Sequence, residues 1–144
     1  MHKKTIILTY FVLSTLASFA QTTDVKPPMV GNDRDAHGCI GSAGYQWSVV
    51  KNDCIRVFEN GIRLEPKAAK LDKSSSAFVV FKSDTDEQKA ELFLPNSKTS
   101  ILLTKVGKDN AGIWKNKKYT LTQWKGMYSL ENSSKKLLYQ GMSK

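Results

Sequence analysis

Histidine is almost missing from this chain. Its 144 residues include only His2 and His37. Cysteine is equally sparse, with Cys39 and Cys54, and there are four prolines. Acidic side chains number 13 against 22 lysines and arginines. Each shortage removes a kind of chemistry. Histidine is the usual general base near neutral pH, and removal of an N-terminal leader would leave His37 alone. A relay of His37, Ser42 and a neighbouring aspartate has no strand–turn–helix elbow or oxyanion-hole pattern around it. Thiolate catalysis needs a free cysteine, and a bridged pair leaves none. Glycoside hydrolysis needs two placed carboxylates, whereas Asp84, Asp86 and Glu87 cluster in a turn-like stretch. Gly38, Gly41 and Gly44 recur every third residue without leading into a helix, so they read as turn glycines, not a phosphate loop. The chain reads as a non-enzymatic protein that needs no cofactor.

Long apolar runs are also missing. Thr5 to Ala20 is uncharged and rich in Ile, Leu, Phe and Val, but it falls short of the roughly 20 apolar residues of a membrane span. Lys3 and Lys4 precede it and Ser18-Phe19-Ala20 closes it with small residues, as in a secretory signal peptide. Residues 1–20 are therefore expected to be a cleaved signal and residues 21–35, with two prolines, a flexible tether. Residues 36–144 form the expected single β domain, located in the periplasm or secreted. Loss of Lys3 and Lys4 lowers the formal net charge from +9 to +7. This excess favours acidic glycans, anionic lipid surfaces or acidic proteins. An exported protein rarely meets nucleic acid, and no segment predicts an integral membrane protein.

In an oxidising compartment Cys39 and Cys54 are expected to form one disulfide. The alternative is a metal held by Asp35, His37, Cys39 and Cys54, but Cys54 lacks the close partner ligand usual in structural zinc sites. The staple would enclose Ser42-Ala-Gly-Tyr-Gln-Trp47. Tyr45 and Trp47 share a face if this stretch is extended, giving either an aromatic platform for a sugar or peptide, or a cap on a small core. Gln46–Val50 and Cys54–Phe58 read as a hairpin around Lys51-Asn52-Asp53, and Ile62–Glu65 as a further strand.

Strand signals then recur at Ala77–Lys82, Lys89–Leu94, Ser100–Val106, Tyr119–Trp124, Met127–Glu131 and Lys136–Gln140. Turn residues separate them, including Gly107 to Gly112 and Lys125-Gly126. Asp84 and Glu87 have the spacing of a helix cap, but Ala90, Leu92 and Leu94 alternate as a strand does. The expected fold is all-β: a small antiparallel barrel or sandwich of about eight or nine strands, with a disulfide-stapled N-terminal hairpin.

Ile101-Leu-Leu-Thr104, Asn110-Ala-Gly-Ile-Trp114, Tyr119 and Trp124-Lys-Gly126 resemble the membrane-bound or periplasmic inhibitors of c-type lysozyme. That family consists of small exported antiparallel β-barrels. A small-residue loop followed by an aromatic enters the lysozyme cleft there, with a lysine from a Trp-x-Lys-Gly turn. The resemblance places Asn110, Ala111, Gly112 and Trp114 in that loop region and makes Lys125 the turn lysine. This chain has Asp109, Asn110 and Ala111 where the family inserts a serine, lacks the spacer before Lys125, and has no cysteine after Cys54. The resemblance implies an inhibitor of a cell-wall lytic enzyme. The charge, with Tyr45, Trp47 and Trp114, points instead to a binding or scaffold module for an acidic glycan or lipid surface.

Overall fold

The computed structural model describes residues 33–72, 75–107 and 112–143. The expected signal peptide, nearly all of the tether, and Asn110 and Ala111 lie outside the described residues. A single 3-10 turn, Gly41–Ala43, leads into β1 (Tyr45–Ser48), β2 (Asp53–Arg56) and a one-turn helix α1 (Val57–Asn60). Eight further strands follow: β3 (Ile62–Pro66), β4 (Ala77–Ser83), β5 (Asp86–Phe93), β6 (Ile101–Lys105), β7 (Gly112–Lys115), β8 (Tyr119–Trp124), β9 (Met127–Asn132) and β10 (Leu137–Met142).

These eight strands close into an antiparallel barrel in which each pairs with its chain neighbour and β10 returns to β3. Local pairing throughout makes this an up-and-down barrel without free edges. The pairing β1–β2 stands outside it as a separate two-stranded sheet. The all-β barrel with a stapled hairpin is thus the fold of this protein. The barrel has eight strands, within the expected eight or nine, and the hairpin adds two; the unexpected strand is β7, which begins at Gly112 inside a stretch that reads as a turn. Val57 and Phe58, expected to extend the second hairpin strand, instead start α1.

Alternation builds the core. Leu64, Ala77, Val79, Ala90, Leu92, Leu103, Trp114, Leu121 and Leu130 point into the barrel and are almost wholly buried, with Tyr128 and Tyr139 beside them. The seam needs a residue without a side chain. A Cβ on Gly141 would lie 2.0 Å from the Arg63 carbonyl oxygen, so only glycine lets β10 reach β3. The Lys125-Gly126 connection has both residues at positive φ, 48° and 81°. Such a two-residue turn matches the strand twist and pairs Trp124 with Met127.

On β5 the alternation breaks down: Ala90, Glu91, Leu92 and Phe93 are all buried. Ala90 and Leu92 face the barrel interior. Phe93 faces outward into a second cluster with Ile55, Val57 and Val80. The stapled hairpin therefore lies on the outer wall of β4 and β5, which must satisfy burial on both faces.

Candidate functional site

The stapled module is organised by its own polar contacts. Cys39 and Cys54 are bridged, with Cα atoms 5.5 Å apart, so neither sulfur is available as a thiolate or a metal ligand. The Asp35 carboxylate accepts the backbone N–H groups of His37 and Cys39 at 2.8 and 2.9 Å. Asp33 accepts the backbone N–H and hydroxyl of Ser42. These two bonds hold the Asp33 carboxyl below the usual aspartate range, the hydroxyl contributing most. Arg34 donates to the Gly38 carbonyl at 2.7 Å.

Glu91 locks this module to the barrel. It is fully buried, and its carboxylate accepts the Ser48 hydroxyl at 2.6 Å and the backbone N–H groups of Val49 and Val50 at 3.0 and 3.2 Å. Ser100, from the β5–β6 connection, donates a fourth bond. A buried carboxylate is tolerated only when its lone pairs are filled, and here four donors from two separate segments fill them. Nothing in the sequence singled out Glu91. As the polar member of an alternating strand it reads as a solvent-facing residue, and only the hairpin lying over it reverses that.

A cleft of about 670 Å³ opens between the module and the β5–β6 connection, lined by Tyr45, Trp47, His37, Phe93, Lys98 and Thr99 among others. The His37 imidazole lies flat on the Trp47 indole, with ring centroids 4.3 Å apart and planes within 6°. The Arg56 guanidinium sits over Tyr45 at 4.9 Å. The structure thus brings Tyr45 and Trp47 together beside the disulfide, as their two-residue spacing required.

The other expected site residues lie elsewhere. Because the strands alternate in direction, the end of β6, the start of β7 and the β8–β9 turn share one end of the barrel. Lys125 occupies that turn, its ammonium 5.7 Å from the centre of the Trp124 ring, and Trp124 is 73% exposed. Gly112 is buried at the start of β7, packed so closely on Gln123 that a Cβ would lie 2.7 Å from that side chain. Trp114 corrects the expectation drawn for it. It is 1% exposed, its indole N–H donates to the Glu87 carbonyl at 2.6 Å, and Phe81 and Tyr128 pack around it. It is a core residue, because inward alternation on β7 places it in the barrel.

No protein family pattern, curated protein or solved structure matches this chain. At the same barrel end, Glu59, Asp84, Glu87 and Tyr128 border a recess of about 360 Å³. Burial, and next the Glu87 charge, push the Tyr128 hydroxyl above its usual pKa. Among the described residues no three His, Cys, Asp or Glu side chains converge as a metal site. No described helix is long and apolar enough to cross a membrane.

Proposed function

We propose that this protein is a non-enzymatic binding protein of the bacterial envelope that blocks a cell-wall lytic enzyme through the barrel end carrying Lys125. The observation behind this reading is the position of Lys125. It projects from a tight turn at the barrel end where β6 finishes and β7 begins. The disulfide is compatible with an oxidising, exported location.

Two features of that end favour a protein partner. Trp124, Met127 and Met142 are cross-strand neighbours in one row, with Trp124 and Met142 strongly exposed. Exposed Trp and Met flanked by charge are the residue types that anchor interfaces. The second is Lys125 itself, exposed on the turn beside Trp124 and available for insertion between catalytic carboxylates. The formal charge of +7 left without Lys3 and Lys4 would repel a strongly basic enzyme at long range, and Glu59 and Glu87 at this end are ion-paired with Arg56 and Lys105, so a less basic target suits the reading better.

The test is inhibition of cell-wall lysis by a panel of c-, g- and i-type lysozymes, with wild type beside Lys125→Ala. Inhibition at micromolar protein that the substitution weakens by about tenfold, or about 1.4 kcal/mol, supports the reading. Full activity of every enzyme at micromolar excess retires it.

A further inference from the structure

The cleft beside the disulfide lies on the side wall, toward the barrel end away from Lys125. Its two walls belong to segments that Glu91 ties together, so its shape exists before any ligand arrives. One wall is aromatic: Tyr45, Trp47 and the His37 ring stacked on it. The opposite wall is the β5–β6 connection, Ser97 to Ser100.

Most polar groups bordering the cleft are already engaged. Asp33 and Asp35 are tied to their own loop. The Ser97 hydroxyl donates to the Thr99 carbonyl, and the Ser100 hydroxyl to Glu91. Of the two cations bordering the cleft, Arg34 is held by the Gly38 carbonyl, whereas Lys98 is exposed and without an ion pair among the described residues. Lys98 and the aromatic side chains therefore border one space, within the roughly 300–1,000 Å³ typical of small-ligand sites.

We propose that this cleft binds an anionic saccharide, with a sugar ring against the Tyr45–Trp47–His37 wall and its carboxylate on Lys98. A sugar suits the aromatic wall because its C–H face is apolar while its rim of hydroxyls needs partners. The Gln46 amide and Thr99 hydroxyl border the same space. The excess of lysine and arginine over the whole chain draws a polyanion toward the site.

The full chain is titrated with a tetrasaccharide of alternating glucuronate and N-acetylglucosamine, and in parallel with uncharged chitotetraose. Calorimetry and tryptophan fluorescence report binding. The acidic sugar is expected to bind with Kd below about 1 mM, more tightly than chitotetraose. Trp47→Ala is expected to weaken it at least about tenfold. Lys98→Glu alters an exposed loop side chain and so keeps the fold. It is expected to weaken the acidic sugar about tenfold while changing chitotetraose less than about twofold. No binding of either sugar at millimolar concentration overturns the proposal. So does equal affinity for the two sugars, or an acidic-sugar affinity that Lys98→Glu leaves unchanged. None of these outcomes depends on whether the barrel end inhibits a lysozyme.

Discussion

The Glu91 side chain bonds the stapled module to the barrel wall. Its carboxylate gathers two hydroxyls and two backbone N–H groups in a fully buried setting. Glu91→Ala would leave those donors buried without an acceptor, each costing about 1–3 kcal/mol. The expected loss in urea-unfolding free energy is about 3 kcal/mol or more, whereas Glu91→Gln, which keeps acceptor oxygen in place, loses less. Equal stability of Glu91→Ala and wild type would show that the carboxylate does not hold the hairpin. Residue type alone did not reveal this role. A glutamate between Ala90 and Leu92 fits a half-exposed strand equally well, and the difference is made by Ser48 and Ser100, 43 and 9 residues away in sequence. Trp114 was misplaced for a related reason. Its neighbours in sequence include turn residues, and only the pairing of β7 with β6 and β8 turns its ring inward.

At the scale of elements, the molecule is a barrel with a stapled hairpin laid on its wall. One apolar cluster fills the barrel, and a second joins Ile55 and Val57 to Val80 and Phe93 on the outer wall of β4 and β5. The disulfide closes a loop of 15 residues within the hairpin module, worth about 3 kcal/mol in the chain-entropy model. It does not cross-link the barrel. Reduction is therefore expected to act locally: backbone amides of β1 and β2 should lose hydrogen-exchange protection while those of β5, β8 and β9 keep theirs. Uniform loss of protection would mean that the hairpin and barrel form one cooperative unit. The hairpin was legible as an element because cysteines, turn residues and alternation coincide over a short span. Its placement was not, because nothing in residues 39–56 states which barrel strands they cover. β7 was missed because it is four residues long and begins with glycine, two properties that weaken any strand signal.

The whole molecule should respond to alkali. Burial raises the pKa of both Tyr128 and Tyr139 above 10.0, the Glu87 charge adding to the first and the charges of Tyr119 and Asp72 to the second. A group whose folded pKa is raised stabilises the fold fully below its unfolded pKa. That contribution disappears as pH rises through the folded pKa. Stability is thus expected to be steady up to about pH 10 and to fall above it. Tyr128→Phe should flatten that fall, measured by urea midpoints across the alkaline range. An unchanged slope in the variant would show that Tyr128 is not the group responsible. The two hydroxyls share a cause: both rings belong to the one apolar cluster inside the barrel, and burial is the first reason each is raised.

The sequence by itself determined the all-β class, the disulfide, the strand positions of β3–β6 and β8–β10, and the Lys125-Gly126 turn. These follow from local rules: period-two alternation, turn chemistry, and the spacing of two cysteines. Only the tertiary structure decided that eight strands close through Gly141, that the hairpin sits outside the barrel on β4 and β5, and that Glu91 is buried beneath it. It also decided that the Tyr45–Trp47 pair and Lys98, about a third of the chain apart, border one cleft. Such arrangements depend on contacts between segments distant in sequence, and alternation along one strand says which residues share a face but not what will cover that face.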